Sequence, residues 1–371
     1  MEYDQHHYYN IHNIVKVESD VLLYELEYFR VPRVDRPDLS INVNEVITSR
    51  MHFKNQLTVQ NSQNQSCTIS YSEQFGSLGA EFEIDFEDNS INIRANKLLA
   101  GSRHVLYVNL VEPLLRFLLI SKGFVLLHSA CIDAENSGIL ISAPPDTGKT
   151  TLVLKSIKNG FSFLSDDMTI IKLPDEAICF PKPMTISSHT LKTALDVSNA
   201  HHKFANHMLD GRCMKLRSLV HSKEGRRFMH KLGSYNSVPI FTLNTIGQRI
   251  IKPPKFRVQD ILQTAIVKTK TNIKSLYFLE MGDKDQKEIV PSTEMATTKA
   301  IENSDDAFLF PPYSELIKYI TINGKSSKQL LQEERSIIEE FLRNVKCYIT
   351  KSVNKNWYPI VRDEVSLLVR Q

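Results

Sequence analysis

A glycine-bearing loop between a predicted strand and a predicted helix constrains the fold more than any other part of the sequence. The residues before it, Gly138–Ser142, form a short apolar run with β-branched side chains, which is typical of a buried strand. The loop itself, Ala143–Thr150 (APPDTGKT), follows the pattern GxxxxGK plus Ser or Thr, except that Ala143 stands at the first glycine. A loop of this kind predicts an α/β protein.

The sequence after the loop continues with a helix and a second strand. Thr150–Lys158 is predicted to be helical, and Gly160 follows where a left-handed cap is usual. Phe161–Ser165 (FSFLS) predicts a strand, and Asp166 and Asp167 come directly after it. We therefore expect a helix between two strands, with a pair of carboxylates at the end of the second strand.

This order of elements suits the binding of a polyphosphate. Backbone N–H groups in such a loop and at the start of the following helix point at an anion and hold it. Lys149 adds a positive charge near the β- and γ-phosphates, and the Thr150 hydroxyl can bind Mg²⁺. The predicted contact residues are Pro145, Asp146, Thr147, Gly148, Lys149, Thr150 and Thr151.

The acidic pair completes the predicted site. A carboxylate at the end of a neighbouring strand can bind the metal, together with Thr150, or can accept a proton from an attacking hydroxyl. Successive side chains of a strand point to opposite faces, so Asp166 and Asp167 are expected to divide these tasks. A strand–turn–helix without any ligand is the alternative interpretation, and the flanking elements argue against it.

With its flanking residues, this stretch resembles the nucleotide-binding core of HPr kinase/phosphorylase and of the HPr-kinase-like serine kinases that modify peptides. That family carries a strand with a histidine, then a phosphate loop, then a strand that ends in two aspartates. Here Phe124–Ile132 (FVLLHSACI) is predicted to be the first strand. Its His128 precedes Lys149 by 21 positions, and Asp167 follows Lys149 by 18. The resemblance covers the region Leu106–Pro183.

The resemblance implies a fold and a set of roles. The fold would be a PEP carboxykinase-like P-loop core with a mixed sheet, and the reaction would be an ATP- and Mg²⁺-dependent phosphoryl transfer. Asp167 would be the base, Asp166 a supporting or metal-linked group, and His128 a positioning group, although a buried core histidine is an equal alternative. Ala143 and Asp146 depart from the family, because glycines are expected at both positions. No further acidic signature follows the aspartates.

The length of 371 residues favours two domains. In the N-terminal part, Glu81–Phe86 and Ile91–Arg94 alternate apolar and polar residues on either side of a turn, which predicts a β-hairpin. We therefore predict a small β-rich N-terminal domain, residues 1–103, and a P-loop kinase-like domain, residues 104–371. Residues 105–122 are apolar at helical spacing and predict a helix that packs in the core.

Later segments add elements to the second predicted domain. Lys274–Glu280 predicts an apolar strand of the main sheet, and Cys347–Val353 predicts another strand. Thr293–Asn303 predicts a helix with Ser292 as its cap. Ser327–Val345 has the periodicity of a strongly amphipathic helix.

Two clusters of polar residues have a structural and a functional interpretation. His201, His202 and His207 lie close in sequence but lack the spacing of known metal sites, which favours a solvated surface. The basic residues of Lys223–Lys231 also favour a solvated surface, and the alternative is a segment that closes over phosphates or binds an acidic peptide. Trp357 is predicted to be a packing residue.

Composition and charge argue against several classes of protein. The 45 basic and 42 acidic residues give a net charge of +3, which does not favour nucleic acid or an anionic membrane as a partner. No run is expected to approach the apolar length that a membrane-spanning helix needs, and the N-terminal residues lack the regions of a signal peptide. The five scattered cysteines favour reduced thiols. We therefore expect a cytoplasmic protein.

Taken together, the residues and the resemblance predict a kinase that transfers the γ-phosphate of ATP to a hydroxyl. The resemblance implies serine of a peptide or small protein as the acceptor, and it is compatible with a homo-oligomer. One alternative is a kinase for a small molecule such as an amino acid or a sugar. Another is a nucleotide-binding regulatory protein without catalysis, which Ala143 and Asp146 suggest and the intact Lys149, Asp166 and Asp167 oppose.

Overall fold

The structure, a computed structural model, is of the mixed α/β class that the sequence predicts. The chain divides into two compact units, and each unit contains a large sheet of its own. The residues that the structure describes are 6–43, 56–61, 67–75, 78–87, 90–186, 190, 193–194, 228, 231, 239–250, 255–308 and 312–362. The first unit is drawn from Met1–Gly123, Glu224–Lys252 and Phe308–Glu333, and the second from Phe124–Lys223, Pro253–Ala307 and Glu334–Gln371.

An eight-stranded mixed sheet is the framework of the first unit. Its strands are β1 (His7–Ile11), β2 (Val15–Ser19), β3 (Arg30–Val31), β4 (Leu39–Asn42), β5 (Gln56–Asn61), β6 (Cys67–Phe75), β7 (Leu78–Glu87) and β8 (Ser90–Ala95), numbered along the whole chain. A separate short hairpin of this unit consists of β19 (Thr321–Ile322) and β20 (Lys325–Ser326). The order in the sheet is β3-β1-β2-β4-β8-β7-β6-β5, and β4 is parallel to both of its neighbours. The predicted hairpin is confirmed, since β7 and β8 pair antiparallel with alternating burial.

Helical segments complete the first unit, and most are short. They are Tyr24–Phe29, Lys97–Gly101, Arg103–Leu106, Tyr107–Val111, Glu112–Ser121, Ile240–Ile250, Tyr313–Leu316 and Ile317–Tyr319. The run Arg103–Ser121 is 19 residues long with a mean hydropathy of 1.3, so one apolar run does reach the length of a membrane span, contrary to expectation. However, 83% of the 18 residues that make up its most apolar stretch are buried inside the protein, as expected for the predicted core helix.

Polar contacts join this helical run to N-terminal residues of the same unit. His104 Nδ1 lies 2.9 Å from Oε1 of the buried Glu25. At the other end of the run, Lys122 Nζ donates to Asp38 Oδ1 over 2.7 Å. The first segment of this unit therefore continues to Gly123, whereas the sequence predicts a domain boundary after residue 103.

A nine-stranded mixed sheet is the framework of the second unit. Its strands are β9 (Val125–Leu127), β10 (Ala130–Ala134), β11 (Ser137–Ser142), β12 (Ser162–Ser165), β13 (Thr169–Lys172), β14 (Glu176–Ile178), β17 (Lys270–Met281), β18 (Gln286–Ile289) and β21 (Lys346–Ser352). A separate two-stranded pair consists of β15 (Met184–Thr185) and β16 (Lys255–Phe256). The order is β12-β10-β11-β17-β14-β13-β9, and β21 pairs with β17 and carries β18 on its other side. The long strand β17 is parallel to both β11 and β21.

Helices cover both faces of this second sheet. They are Lys149–Lys158, Val258–Ile261, Thr293–Asp305 with the turn Asp306–Phe308, and Ser327–Leu342, whose residues from Glu334 onward belong to this unit. In β11, Ile139 and Ile141 pack in the apolar cluster around the helix Lys149–Lys158, whereas Leu140 packs in the cluster on the opposite face. Burial on both faces explains why β11 reads as a continuous apolar run rather than an alternating one.

Parallel pairing brings the carboxyl ends of three strands to one edge. Ser142, the last residue of β11, pairs with Phe278 of β17, and Ser352, the last residue of β21, pairs with Met281. The segments that follow β11 and β21 therefore leave the sheet at the same edge. In open α/β sheets this is the edge where ligands usually bind.

The predicted later elements are confirmed. Lys274–Glu280 lies within β17 of the main sheet, and the predicted strand Cys347–Val353 corresponds to β21. The predicted helices correspond to Thr293–Asp305 and Ser327–Leu342, and Ser292 Oγ accepts a hydrogen bond from the N–H of Met295 as the cap. The histidine cluster 201–207 and, apart from Lys231, the basic cluster 223–231 lie outside the described residues.

The cysteines that can be described agree with the prediction of reduced thiols. They are Cys67, Cys131, Cys179 and Cys347, all buried and none in a disulfide. Cys213 lies outside the described part of the chain.

We expect Gly138→Ala to destabilise the second unit by about 1 to 3 kcal/mol, because the added methyl group would overpack the contact between β11 and β17. A Cβ at this position would lie 2.5 Å from Thr271 Cγ2, 2.7 Å from Ile273 Cδ1 and 3.0 Å from the backbone oxygen of Asn272. Chemical denaturation of the full chain measures the effect.

Gly247→Ala is the matched control, and its expected effect on stability has the opposite sign. Gly247 lies in the helix Ile240–Ile250, and a Cβ there would meet no atom within 4 Å. Alanine should therefore stabilise the first unit by about 0.5 to 1 kcal/mol through its helix propensity. Equal unfolding curves for the two variants would contradict the packing argument.

Candidate functional site

The loop after β11 contains two residues with positive φ angles. Gly148 has a φ of 97° and Asp146 a φ of 61°, while Thr147 between them is not in the positive-φ region. The helix Lys149–Lys158 follows at once. Left-handed residues occur in nests, where successive N–H groups turn toward one concavity, and a helix N-terminus provides further N–H groups without partners inside the helix.

The two departures from the glycine pattern differ in the structure. Ala143 is fully buried in the apolar cluster, and its φ is not positive, so alanine fits the position where the pattern has glycine. Asp146 does adopt the left-handed conformation, which aspartate tolerates better than most residues. Gly148 is the position of the loop that needs glycine most. Its φ is positive, and a Cβ there would also lie 3.3 Å from Trp357 Nε1.

The predicted metal pair Thr150 and Asp166 is in contact. Thr150 Oγ1 donates to Asp166 Oδ2 over 2.9 Å. Asp166 is 8% exposed, and its other oxygen, Oδ1, is buried without a hydrogen-bond partner. Burial raises the pKa of Asp166 to about 6, against the opposing effects of Lys149 and Thr150. A buried carboxylate oxygen with no partner is the kind of group that a cation would satisfy.

The residues therefore fit a Mg²⁺ ion held partly by a bound phosphate. Among the residues described, no cluster of three or more His, Cys, Asp or Glu side chains is arranged to hold a metal. Mg²⁺ does not need such a cluster, because it keeps several waters and is usually bound by one or two protein ligands plus substrate phosphates. Thr150 and Asp166 supply one hydroxyl and one carboxylate for that arrangement.

Asp167 makes different contacts from its neighbour. Its Oδ2 accepts from Lys182 Nζ over 2.6 Å, and its Oδ1 lies 3.3 Å from His128 Nε2. Desolvation acts to raise the pKa of Asp167, but the positive charges of Lys182 and, to a smaller extent, Lys149 hold the pKa well below its usual range. Asp167 is therefore ionised at neutral pH, and its side chain is 44% exposed. The two aspartates thus face different partners, as predicted.

His128 lies at a break between two strands. The single strand predicted over Phe124–Ile132 is wrong, because β9 ends at Leu127 and β10 begins at Ala130. The chain changes partners there: β9 pairs with β13, whereas β10 pairs with β11 and β12. His128 is consequently placed between two ladders rather than in the middle of one.

The contacts of His128 fix its tautomer. Nδ1 donates to the backbone oxygen of Asn303 over 2.9 Å, so the neutral ring carries its lone pair on Nε2. Lys149 Nζ donates to this nitrogen over 3.2 Å. Burial, reinforced by Lys149, lowers the pKa of His128, which keeps the ring neutral at pH 7. His128 therefore accepts a hydrogen bond from Lys149 and lies beside Asp167.

The remaining predicted contact residues lie along the loop and the first turn of the helix. Thr147 is buried, and its Oγ1 donates to the Pro144 backbone oxygen over 2.6 Å. Pro145 and Thr151 are partly buried. Thr151 lies in the first turn of the helix, so its N–H group is among those without a partner inside the helix.

Sequence reasoning missed several residues at this site. Lys182 comes between Pro181 and Pro183, and only its distance from Asp167 reveals its role. Asn303 is predicted only as part of a helix. Trp357 and Lys355 follow β21, far along the chain from the loop that they contact. No local motif marks any of these positions.

We expect Asp166→Asn to stabilise the ligand-free protein at pH 7.5 by about 2 kcal/mol, because it removes a buried charge. The pKa of Asp166 is raised in the folded state, so its proton is bound more tightly when the chain is folded. The free energy of unfolding of the wild type should therefore fall as the pH rises from about 4 to about 6. Denaturation of both proteins between pH 4 and pH 8 measures this difference, which should disappear at pH 4.

Asp167→Asn is the control at the adjacent position. It removes the charge that pairs with Lys182, whose side chain is only 10% exposed. This variant should be less stable than the wild type at pH 7.5, and the loss should fade toward low pH. If both asparagine variants shifted stability in the same direction, the assigned environments of the two aspartates would be wrong.

A scan of the chain against models of protein families found no match, and a search of curated proteins found none either. Function therefore has to be inferred from the chemistry of the site itself.

Proposed function

We propose that the protein is an ATP-dependent phosphotransferase that transfers the γ-phosphate of ATP to a hydroxyl group. The fold proposed with it is a PEP carboxykinase-like P-loop core, similar to that of HPr kinase-like proteins. One observation carries the proposal: a phosphate-loop lysine, a threonine–aspartate pair with an unpartnered buried oxygen, and an ionised second aspartate meet at one edge of a sheet. A protein that only bound nucleotide would have no need of the second aspartate.

The chain's own groups would first bind and orient the phosphates. The N–H groups of the loop and of the helix N-terminus provide donors for phosphate oxygens. Lys149, which contacts neutral His128 in the ligand-free protein, is near enough to the loop to add its charge at the transferred group. Thr150 and Asp166 would hold Mg²⁺, which neutralises phosphate charge when bound.

Asp167 would then hold the acceptor hydroxyl and take its proton. A carboxylate has about four lone-pair sites, and Lys182 uses only some of them. Because it is partly exposed and ionised, Asp167 can accept a hydrogen bond from an incoming hydroxyl. Lys182 fixes its orientation, and neutral His128 lies beside its other oxygen. Positioning of this kind is the main contribution that a protein makes to phosphoryl transfer.

Serine of a peptide or small protein is the acceptor class that we propose, in a cytoplasmic setting. The support is the resemblance of the loop, His128 and the aspartate pair to HPr kinase-like serine kinases. An amino acid or a sugar is the alternative acceptor, and the same active groups would serve it.

Incubation with γ-labelled ATP and Mg²⁺, with and without cell extract, tests the proposal. Wild type should transfer label to a peptide or protein, and mass spectrometry should locate it on serine. Asp167→Asn and Lys149→Met should each lower the transfer rate at least a hundredfold, since both remove a group at the reacting atoms.

Lys158→Met is the control for the loss of a lysine charge, because Lys158 lies exposed in the last turn of the same helix. It should transfer label at the wild-type rate. Label on a small molecule would replace the proposed acceptor by the alternative. Tight binding of ATP without transfer in any extract would contradict the kinase proposal.

A further inference from the structure

The segment after β21 reaches the phosphate loop because of the sheet topology. β11 and β21 are both parallel to β17, which lies between them. Neighbouring strands are about 4.8 Å apart, so β11 and β21 are separated by roughly 10 Å across the sheet. Their ends pair with Phe278 and Met281 of β17, three residues apart. Residues 353–357 bridge this gap and meet the loop at Asp146, Thr147 and Gly148.

Two side chains of this segment bind consecutive carbonyl groups of the loop. Trp357 Nε1 donates to the Thr147 backbone oxygen over 2.9 Å, and Trp357 is 1% exposed. Lys355 Nζ donates to the Asp146 backbone oxygen over 2.5 Å, from an exposed position. The loop therefore has a donor fixed on each of two successive carbonyls.

These contacts determine which way the loop N–H groups point. A peptide unit is planar and trans, so its N–H points away from its C=O. Holding the carbonyls of Asp146 and Thr147 toward the segment after β21 directs the next two N–H groups, those of Thr147 and Gly148, to the other side. Asp146 and Gly148, on either side of Thr147, both have positive φ angles, as residues in N–H nests often do.

We infer that Trp357 and Lys355 are positioning residues for phosphate binding, which hold the loop in its anion-binding conformation through its carbonyl groups. This inference rests on the proposed function, since it names the parts of the chain that prepare the same site for a polyphosphate. The tryptophan side chain contacts the loop backbone and not the ligand, so it acts through Thr147 and Gly148.

A second consequence makes the inference easy to test. Trp357 is the only tryptophan in the chain, and it lies against the loop. Polyphosphate binding changes the electrostatic field at the loop, and the indole lies within hydrogen-bonding distance of it. The intrinsic tryptophan fluorescence of the protein is therefore a direct reporter of the loop.

The experiment is a titration of the full chain with Mg·ATP and, separately, with pyrophosphate. Both ligands should change the emission of the wild type. Trp357→Phe keeps an aromatic ring at the position but is smaller and lacks the N–H donor, so calorimetry should show about tenfold weaker binding of both ligands. The equal loss for both ligands is the expected signature, because the contact serves the phosphates and not the nucleoside.

Lys355→Met should weaken binding of both ligands about threefold, and Lys355→Arg should restore it. Lys346→Met is the control for charge, because Lys346 is exposed at the opposite end of β21, and its binding should equal that of the wild type. Since Lys355 is on the surface, this series gives an answer even if Trp357→Phe folds poorly. Measurements are made well below each variant's thermal midpoint, so that global stability does not enter.

The outcomes separate this inference from the proposed function. If the wild type bound neither ligand, both would be overturned. If the wild type bound Mg·ATP while Trp357→Phe and Lys355→Met bound it equally well, only the positioning role would be overturned. Unchanged tryptophan emission at saturating ligand would also overturn it.

Discussion

The parallel pairing of β17 with both β11 and β21 is the constraint on which the site depends. It places the carboxyl ends of β11 and β21 at one edge, so that the loop before Lys149 and the segment carrying Trp357 can meet. Antiparallel pairing of either strand would send its continuation to the opposite edge. The apolar residues of β11 support this arrangement, because helices cover both of its faces.

The negative charge of Asp167 is paired with a positive charge, whereas the buried Asp166 keeps one oxygen without a partner. This difference fits the roles proposed for the two aspartates. The charge of Asp167 is compensated by Lys182, so Asp167 is ionised and held in one orientation. Asp166 is buried with one oxygen unpartnered, which costs stability in the ligand-free protein. Local rules of folding are commonly violated at functional sites, where a ligand supplies the missing partner. A bound cation would satisfy that oxygen.

Sequence reasoning succeeded where the signal was local and failed where contacts were distant. The order of strand, loop, helix and acidic pair is encoded in one short stretch, and each element forms as predicted. Phe124–Ile132 looks like one strand because all its residues suit a buried sheet. Only the pairing of its two halves with different partners breaks it at His128. Local propensity contains no information about which ladder a residue joins.

By itself, the sequence determined the α/β class, the loop with Gly148 and Lys149, and the adjacent aspartates, because periodicity and turn chemistry act over a few residues. Tertiary structure alone decided that Lys182 pairs with Asp167 and that Trp357 holds the loop. These contacts join residues far apart in sequence, and no spacing rule relates them. They follow from strand order and burial, which are properties of the whole folded unit.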